Sequence, residues 1–107
     1  MWANMLYLAP VACVLAIHET DEEETLRGQL QDELIRVFEK NIQHGGFKII
    51  PNPNLHATVN TTYPAHSNLW TILDGVLQRY HLILDIKPMK DAEGITIQLL
   101  EGPSWKK

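Results

Sequence analysis

The sequence predicts an α+β fold: a two-layer sandwich of the ferredoxin-like, split βαβ kind (βαββαβ) with an extra C-terminal edge strand. Three observations carry this reading. Apolar residues recur with period two in five short segments and with helical period in two longer ones. The segments run strand, helix, strand, strand, helix, strand, strand, which is the order a split βαβ unit produces. The chain has 107 residues, 45% of them hydrophobic and 21% charged, enough for one core and too few for two. Residues 1–107 therefore read as a single domain.

Residues 5 to 17 (MLYLAPVACVLAI) are apolar. The first basic residue is Arg27, so the basic start of a signal peptide is missing. The run is shorter than the roughly 20 residues a membrane helix needs, and it contains Pro10. No membrane span and a cytoplasmic location are expected. Val11 to His18 predicts the first strand, with Val11, Cys13, Leu15 and Ile17 on one parity and Ala12, Val14, Ala16 and His18 on the other. Both parities hold apolar residues, as in a central strand. Residues 1–10 extend that strand or form an arm. Cys13 is the single cysteine, which excludes an internal disulfide and a cysteine-based zinc site.

Thr20-Asp21-Glu22-Glu23 matches a capping box and predicts a helix start at Thr20. Leu26, Leu30, Leu34, Val37, Phe38 and Ile42 follow at helical spacing, and His44-Gly45-Gly46 ends the helix. Phe47 to Ile50 is a short strand, and Pro51-Asn52-Pro53-Asn54 a turn. Leu55 to Tyr63 alternates, with His56, Thr58, Asn60 and Thr62 on the wetter side. Pro64 breaks the strand, and Ser67 or His66 caps a second helix with the stripe Leu69, Trp70, Ile72, Leu73, Val76, Leu77 and Tyr80. Gly75 inside that helix costs about 1 kcal/mol against alanine, and close helix–sheet approach is its expected reason. His81 to Lys87 and Ile95 to Leu100 are the last strands, paired as a hairpin across the polar loop 88–94. Residues 101–107 read as a polar tail.

Right-handed crossovers put both helices on one side of an antiparallel sheet with strand order second, third, first, fourth, fifth. The other side is left open. Its expected residues include Val14, His18, His56, Thr58, Asn60, His81, Ile83 and Asp85, an apolar centre with polar surroundings. Such a patch points to a dimer interface, a ligand site, or a surface covered by residues 1–10. A homodimer leads, because two-fold dimers are the commonest assemblies.

Nine Lys and Arg against thirteen Asp and Glu give a charge of −4, with the basic residues dispersed. Nucleic acid is therefore an unpromising partner. The strands also lack the Phe, Tyr or Trp platforms of RNA-binding sheets. The five histidines form no HxH or HExxH pattern, so no metal site is expected. No glycine-rich phosphate loop and no GxSxG serine are present, and no cofactor is expected.

His18-Glu19-Thr20 and His56-Ala57-Thr58 repeat one pattern. With the first and third strands antiparallel, His18 and His56 are expected to approach each other on the open face. Two imidazoles can act as acid and base near neutrality. The pair resembles the His-x-Thr motifs of two-histidine phosphoesterases, which cleave cyclic phosphodiesters. That resemblance covers two tripeptides only. The family's chains are longer and built of two lobes, and Asp21 stands where the family favours an apolar residue. It implies His18 and His56 as acid and base, with Thr58 as an oxyanion contact. The leading expectation remains a small non-enzymatic binding or interaction module, self-associating and open to a small molecule or another protein. The phosphodiester hydrolase is the alternative.

Overall fold

The first strand, β1 (Glu24–Gln29), lies where the sequence suggested a helix. The computed structural model describes residues 15–42, 46–89 and 94–102. β1 pairs antiparallel with β3 (Thr58–Tyr63), in a register running from Glu24 opposite Tyr63 to Gln29 opposite Thr58. Glu24 and Leu26 face inward while Thr25 and Arg27 face out. Cross-strand contacts outside support the pair: the Thr25 and Thr62 hydroxyls are 3.0 Å apart.

The capping-box reading of Thr20 fails because its hydroxyl is used elsewhere. Thr20 is fully buried. Its Oγ1 accepts from the Ser67 N–H (3.0 Å), and its N–H donates to the Ser67 carbonyl (2.9 Å). Those bonds clamp residues 18–20 to the turn after β3 and leave the following residues free to extend as β1. The expected strand over 11–18 is corrected in the same way. Residues 11–14, with Cys13 and Val14, lie outside the described residues. Leu15 and Ala16 form a helical turn, and Ile17 is 79% exposed. The Ala16 carbonyl accepts from the Asn68 side chain, and the His18 carbonyl accepts from the Leu69 N–H in a single antiparallel bridge between Glu19 and Asn68, so residues 15–18 form no strand.

Helix α1 (Leu30–Asn41) buries Leu30, Leu34, Val37 and Phe38, four of the predicted stripe. Gln29 at its N-cap makes no side-chain cap; the Leu30 N–H donates instead to the Ala57 carbonyl at 2.8 Å. The Gln31 side chain then holds the loop after β2, donating to the carbonyls of Asn52 and Leu55 and accepting from the Asn52 N–H. Helix α2 (Leu69–Tyr80) buries Leu69, Ile72, Leu73 and Val76. Its cap is Asn68, not Ser67 or His66: Asn68 Oδ1 accepts from the Trp70 and Thr71 N–H groups. It ends on His81, whose left-handed φ of 59° makes it a C-cap and not the strand residue expected. Gly75 is exposed, and an added Cβ would meet nothing within 4 Å, so close helix–sheet approach is not its reason.

The remaining strands, β2 (Phe47–Ile50), β4 (Leu82–Pro88) and β5 (Ile95–Glu101), form a second sheet in the order β2-β5-β4. β4 and β5 make the expected antiparallel hairpin, and β2 runs parallel to β5. The fifth strand is thus the middle of a sheet, not an added edge. Among the described residues the strands divide between this sheet and the β1–β3 ribbon, so the single sheet of the expected order is not what the pairing forms. The expected pairing of β2 with β3 is lost because the loop between them is tied sideways: Asn52 Nδ2 donates to the Leu99 carbonyl and Gln98 Nε2 to the Pro51 carbonyl. That continues β2 along β5. At the other end Gly94, with φ +139°, packs on the Gly46 backbone so closely that no Cβ would fit.

Among the described residues there are two full helices, five strands and one core, so the α+β class holds. That core joins Leu26 and Val59 of the ribbon, both helix stripes, and Ile49, Leu82, Leu84, Ile86, Ile97 and Leu99 of the sheet. No helix among the described residues is long and apolar enough to cross a membrane.

Candidate functional site

Strand parity decides which side chains the three-stranded sheet leaves outside its core. Leu82, Leu84 and Ile86 of β4 and Ile97 and Leu99 of β5 are buried. Their neighbours Ile83, Asp85, Lys87, Thr96, Gln98 and Leu100 therefore share the opposite face. Lys48 and Ile50 join them from β2, because Ile49 between them is buried. Sequence reasoning missed these two; the short FKII run alternates too briefly to assign faces, although its charged Lys48 was a usable signal.

Register arranges this face in bands. Ile83 stands opposite Leu100, Asp85 opposite Gln98, and Lys87 opposite Thr96. Ile50 stands beside Gln98 and Lys48 beside Thr96. Ile50, Leu100 and Ile83 thus lie on a diagonal across three strands, within side-chain reach. Ile83 is 46% exposed and Ile50 37%. The other end is polar, with Lys87 Nζ 3.6 Å from Asp85 Oδ2. The band offers apolar contact and charges of both signs, and it holds no nucleophile paired with a base.

The other expected face residues are scattered. Thr58 and Asn60 are exposed, but on the β1–β3 ribbon. His81 is exposed at the end of α2, where its carbonyl accepts from the Gly102 N–H at 2.9 Å. Val14 lies outside the described residues.

His18 and His56 are not brought together. His18 adjoins the start of α2, through its carbonyl on the Leu69 N–H, near the Tyr63 end of β3. His56 precedes Thr58, at the other end of that strand. About 17 Å of strand separates those ends. The expected approach assumed that residues 11–18 pair with β3; β1 holds that place, and Gln29, not His18, stands opposite Thr58. Thr20 is enclosed with its hydroxyl engaged, so it is closed to a phosphate. Thr58 donates no group to a site here; its carbonyl accepts from the Tyr80 hydroxyl at 2.9 Å. Among the described residues no cluster of three or more His, Cys, Asp or Glu has metal-site geometry.

A charge network went unread in the sequence. Glu24 is 2% exposed, and its Oε1 accepts from Arg36 Nη1 at 3.3 Å. Its Oε2 lies 3.0 Å from Lys40 Nζ but off the hydrogen-bonding direction. Arg36 also reaches Glu33 (3.0 Å) and the Thr25 carbonyl (3.0 Å), and Lys40 reaches Glu22 (2.9 Å). The hydrogen bond from Lys40 holds the Glu22 carboxyl below its ordinary range, and that from Arg36 does the same for Glu33. Both cations are in turn raised by these partners, Lys40 first by Glu22 and Arg36 first by Glu33. Each charge already has a counter-charge within the network, which ties α1 to β1, and the three carboxylates against two cations leave one net negative charge. The Arg36 and Lys40 spacing of four on α1 was the available signal. No protein-family model matches the sequence, and no curated protein and no solved structure matches it significantly.

Proposed function

We propose that the protein is a small non-enzymatic interaction module that forms a homodimer through the open face of the β2-β5-β4 sheet. The observation that carries this reading is the diagonal Ile50–Leu100–Ile83, apolar and partly exposed where a solvated strand face is normally polar. In a two-fold contact a patch meets itself. Apolar ends can then stack, while Asp85 of one protomer faces Lys48 or Lys87 of its partner. Both helices lie on the far side of the strands in this reading, in a two-layer arrangement. The single core shared by both helix stripes and the inward strand parity supports it. A cytoplasmic setting accords with a chain that has one cysteine and so no internal disulfide.

Light scattering after size exclusion tests the proposal. Twice the chain mass is expected for the native protein, and the chain mass for Ile83→Asp with its circular dichroism unchanged. A native chain that remains monomeric at high concentration, or an Ile83→Asp variant that remains dimeric, overturns it.

A further inference from the structure

A second surface lies at the free edge of β2, where a groove of about 120 Å³ runs between α1 and β2. Its helix wall is Ile35, Phe38, Glu39 and Ile42, spaced i, i+3, i+4 and i+7 on one face. Its strand wall is Phe47, Lys48 and Ile49. Phe38 and Phe47 form the floor, with ring centroids 6.1 Å apart. Successive strand residues point to opposite sides. Three in a row line one groove because it follows the strand's outer edge.

That edge carries unpaired backbone. Among the described residues β2 pairs only with β5. The Ile95 N–H donates to the Gly46 carbonyl at 2.9 Å. Parallel pairing alternates from there, so Lys48 and Ile50 turn toward β5 while Phe47 and Ile49 turn N–H and C=O outward. A groove beside an open strand edge is the receptor geometry for an added strand: main-chain bonds hold it and the groove takes alternate side chains. The walls also carry charge. Among the described residues neither Glu39 nor Lys48 is in an ion pair. Asp85, the acid of the neighbouring sheet face, already has Lys87 at 3.6 Å.

We propose that this edge binds an extended peptide segment of a partner protein, of the pattern aliphatic–acidic–aliphatic, as an added strand. A peptide residue opposite Phe47 or Ile49 shares their side of the strand and turns into the groove beneath α1. A cavity of about 150 Å³ holds benzene, so the smaller groove suits branched aliphatic side chains. The residue between them lies opposite Lys48 and turns to the other side with it. A carboxylate there makes the cross-strand ion pair that Lys48 lacks. Glu39 on the helix wall repels an acid turned into the groove, so charge and strand parity are read together.

Titration of the full chain with the peptide acetyl-Thr-Val-Glu-Val-Thr-amide, followed by amide and methyl NMR, tests this. The Phe47 and Ile49 amides and the Ile35 and Ile42 methyls should shift, and exchange at the Ile49 amide should slow. The same peptide with Lys in place of Glu should bind about fivefold more weakly. Lys48→Glu, a change at an exposed position, should reverse that order. No shift at Phe47 and Ile49 with millimolar peptide overturns the proposal, as do shifts confined to Ile50, Ile83 and Leu100. Equal binding of the two peptides, or an order that Lys48→Glu leaves unchanged, also overturns it. So does protection of the Ile49 amide before peptide is added: the edge is then held by a second copy if protection weakens on dilution, and by the chain itself if it does not. The dimer proposal fails separately, by mass and at Ile83.

Discussion

Replacing Gly75 with alanine should stabilise the protein by about 1 kcal/mol. Gly75 lies in the interior of α2 and faces solvent. An added methyl meets nothing within 4 Å, so it neither gains packing nor clashes. What remains is the intrinsic difference between the two residues in a helix, about 0.8–1.0 kcal/mol, much of it freedom removed from the unfolded chain. For a domain of this length that is a rise in Tm of about 4–8 °C. Thermal and urea unfolding followed by circular dichroism measure it, and the urea midpoint should move with the slope unchanged. Gly28→Ala supplies the contrast. It also has nothing within 4 Å, but its φ is +122°. Open space does not help there, because the backbone conformation itself excludes a side chain, and a loss of about 1 kcal/mol or more is expected. A Gly75→Ala protein that melts lower would refute the reasoning and restore the close helix–sheet approach that the sequence suggested.

Other perturbations probe the rest of the framework. Glu24→Gln should cost about 1–3 kcal/mol in urea, because one buried carboxylate oxygen becomes an amide N–H2 facing the donors Arg36 and Lys40 with no acceptor to satisfy it. Acidification should destabilise the fold: Glu22 and Glu33 titrate below their ordinary 4.5 when folded, so their contribution is complete above about pH 4.5 and is lost as pH falls through the folded values. Urea midpoints taken between pH 7 and pH 3 should show this decline, shallower in Lys40→Met, which removes the partner of Glu22. Asn68→Ala should cost about 0.5–2 kcal/mol, since it uncaps α2 and frees the Ala16 carbonyl; the same urea titration reads it.

The sequence made the element order and much of the burial legible. The period-two reading of Leu55 to Tyr63 matches burial residue by residue, with His56, Thr58, Asn60 and Thr62 all exposed, although the strand itself starts at Thr58. The stripe of α2 and the inward parity of β4 and β5 match as well. The region from residue 18 to 29 was misread because two physical signals coincide there. Thr20 to Glu23 has cap chemistry, and Leu26 to Leu30 has helical spacing. Neither can reveal that Thr20 is bonded to Ser67, 47 residues away. Pairing of β1 with β3 satisfies a whole row of backbone groups, and that long-range gain outweighs a local propensity of tenths of a kcal/mol per residue. The candidate histidine pair failed with it, since its geometry depended on which segment lies beside β3. The open sheet face was legible in part: Ile83 and Asp85 lie on it, whereas Ile50 became visible only once β5 stood between β2 and β4.

The buried Glu24 makes a second point about why β1 is where it is. A strand that buries a carboxylate gains little stability from it, because desolvation cancels much of the Coulomb attraction. Its effect on alternatives is larger. A one-residue slip of β1 against β3 would turn Glu24 and Leu26 to solvent and bury Thr25 and Arg27. Arg36 and Lys40 sit one turn apart on α1, so they meet Glu24 from one side only. No other carboxylate in the strand can take its place, since residues 25 to 29 hold none. The network thus fixes register and helix position together. It also explains how three consecutive glutamates, a composition that usually marks a solvated helix start, come to lead into a strand: Glu22 and Glu24 bind one lysine from the same side, and Glu23 between them points to water.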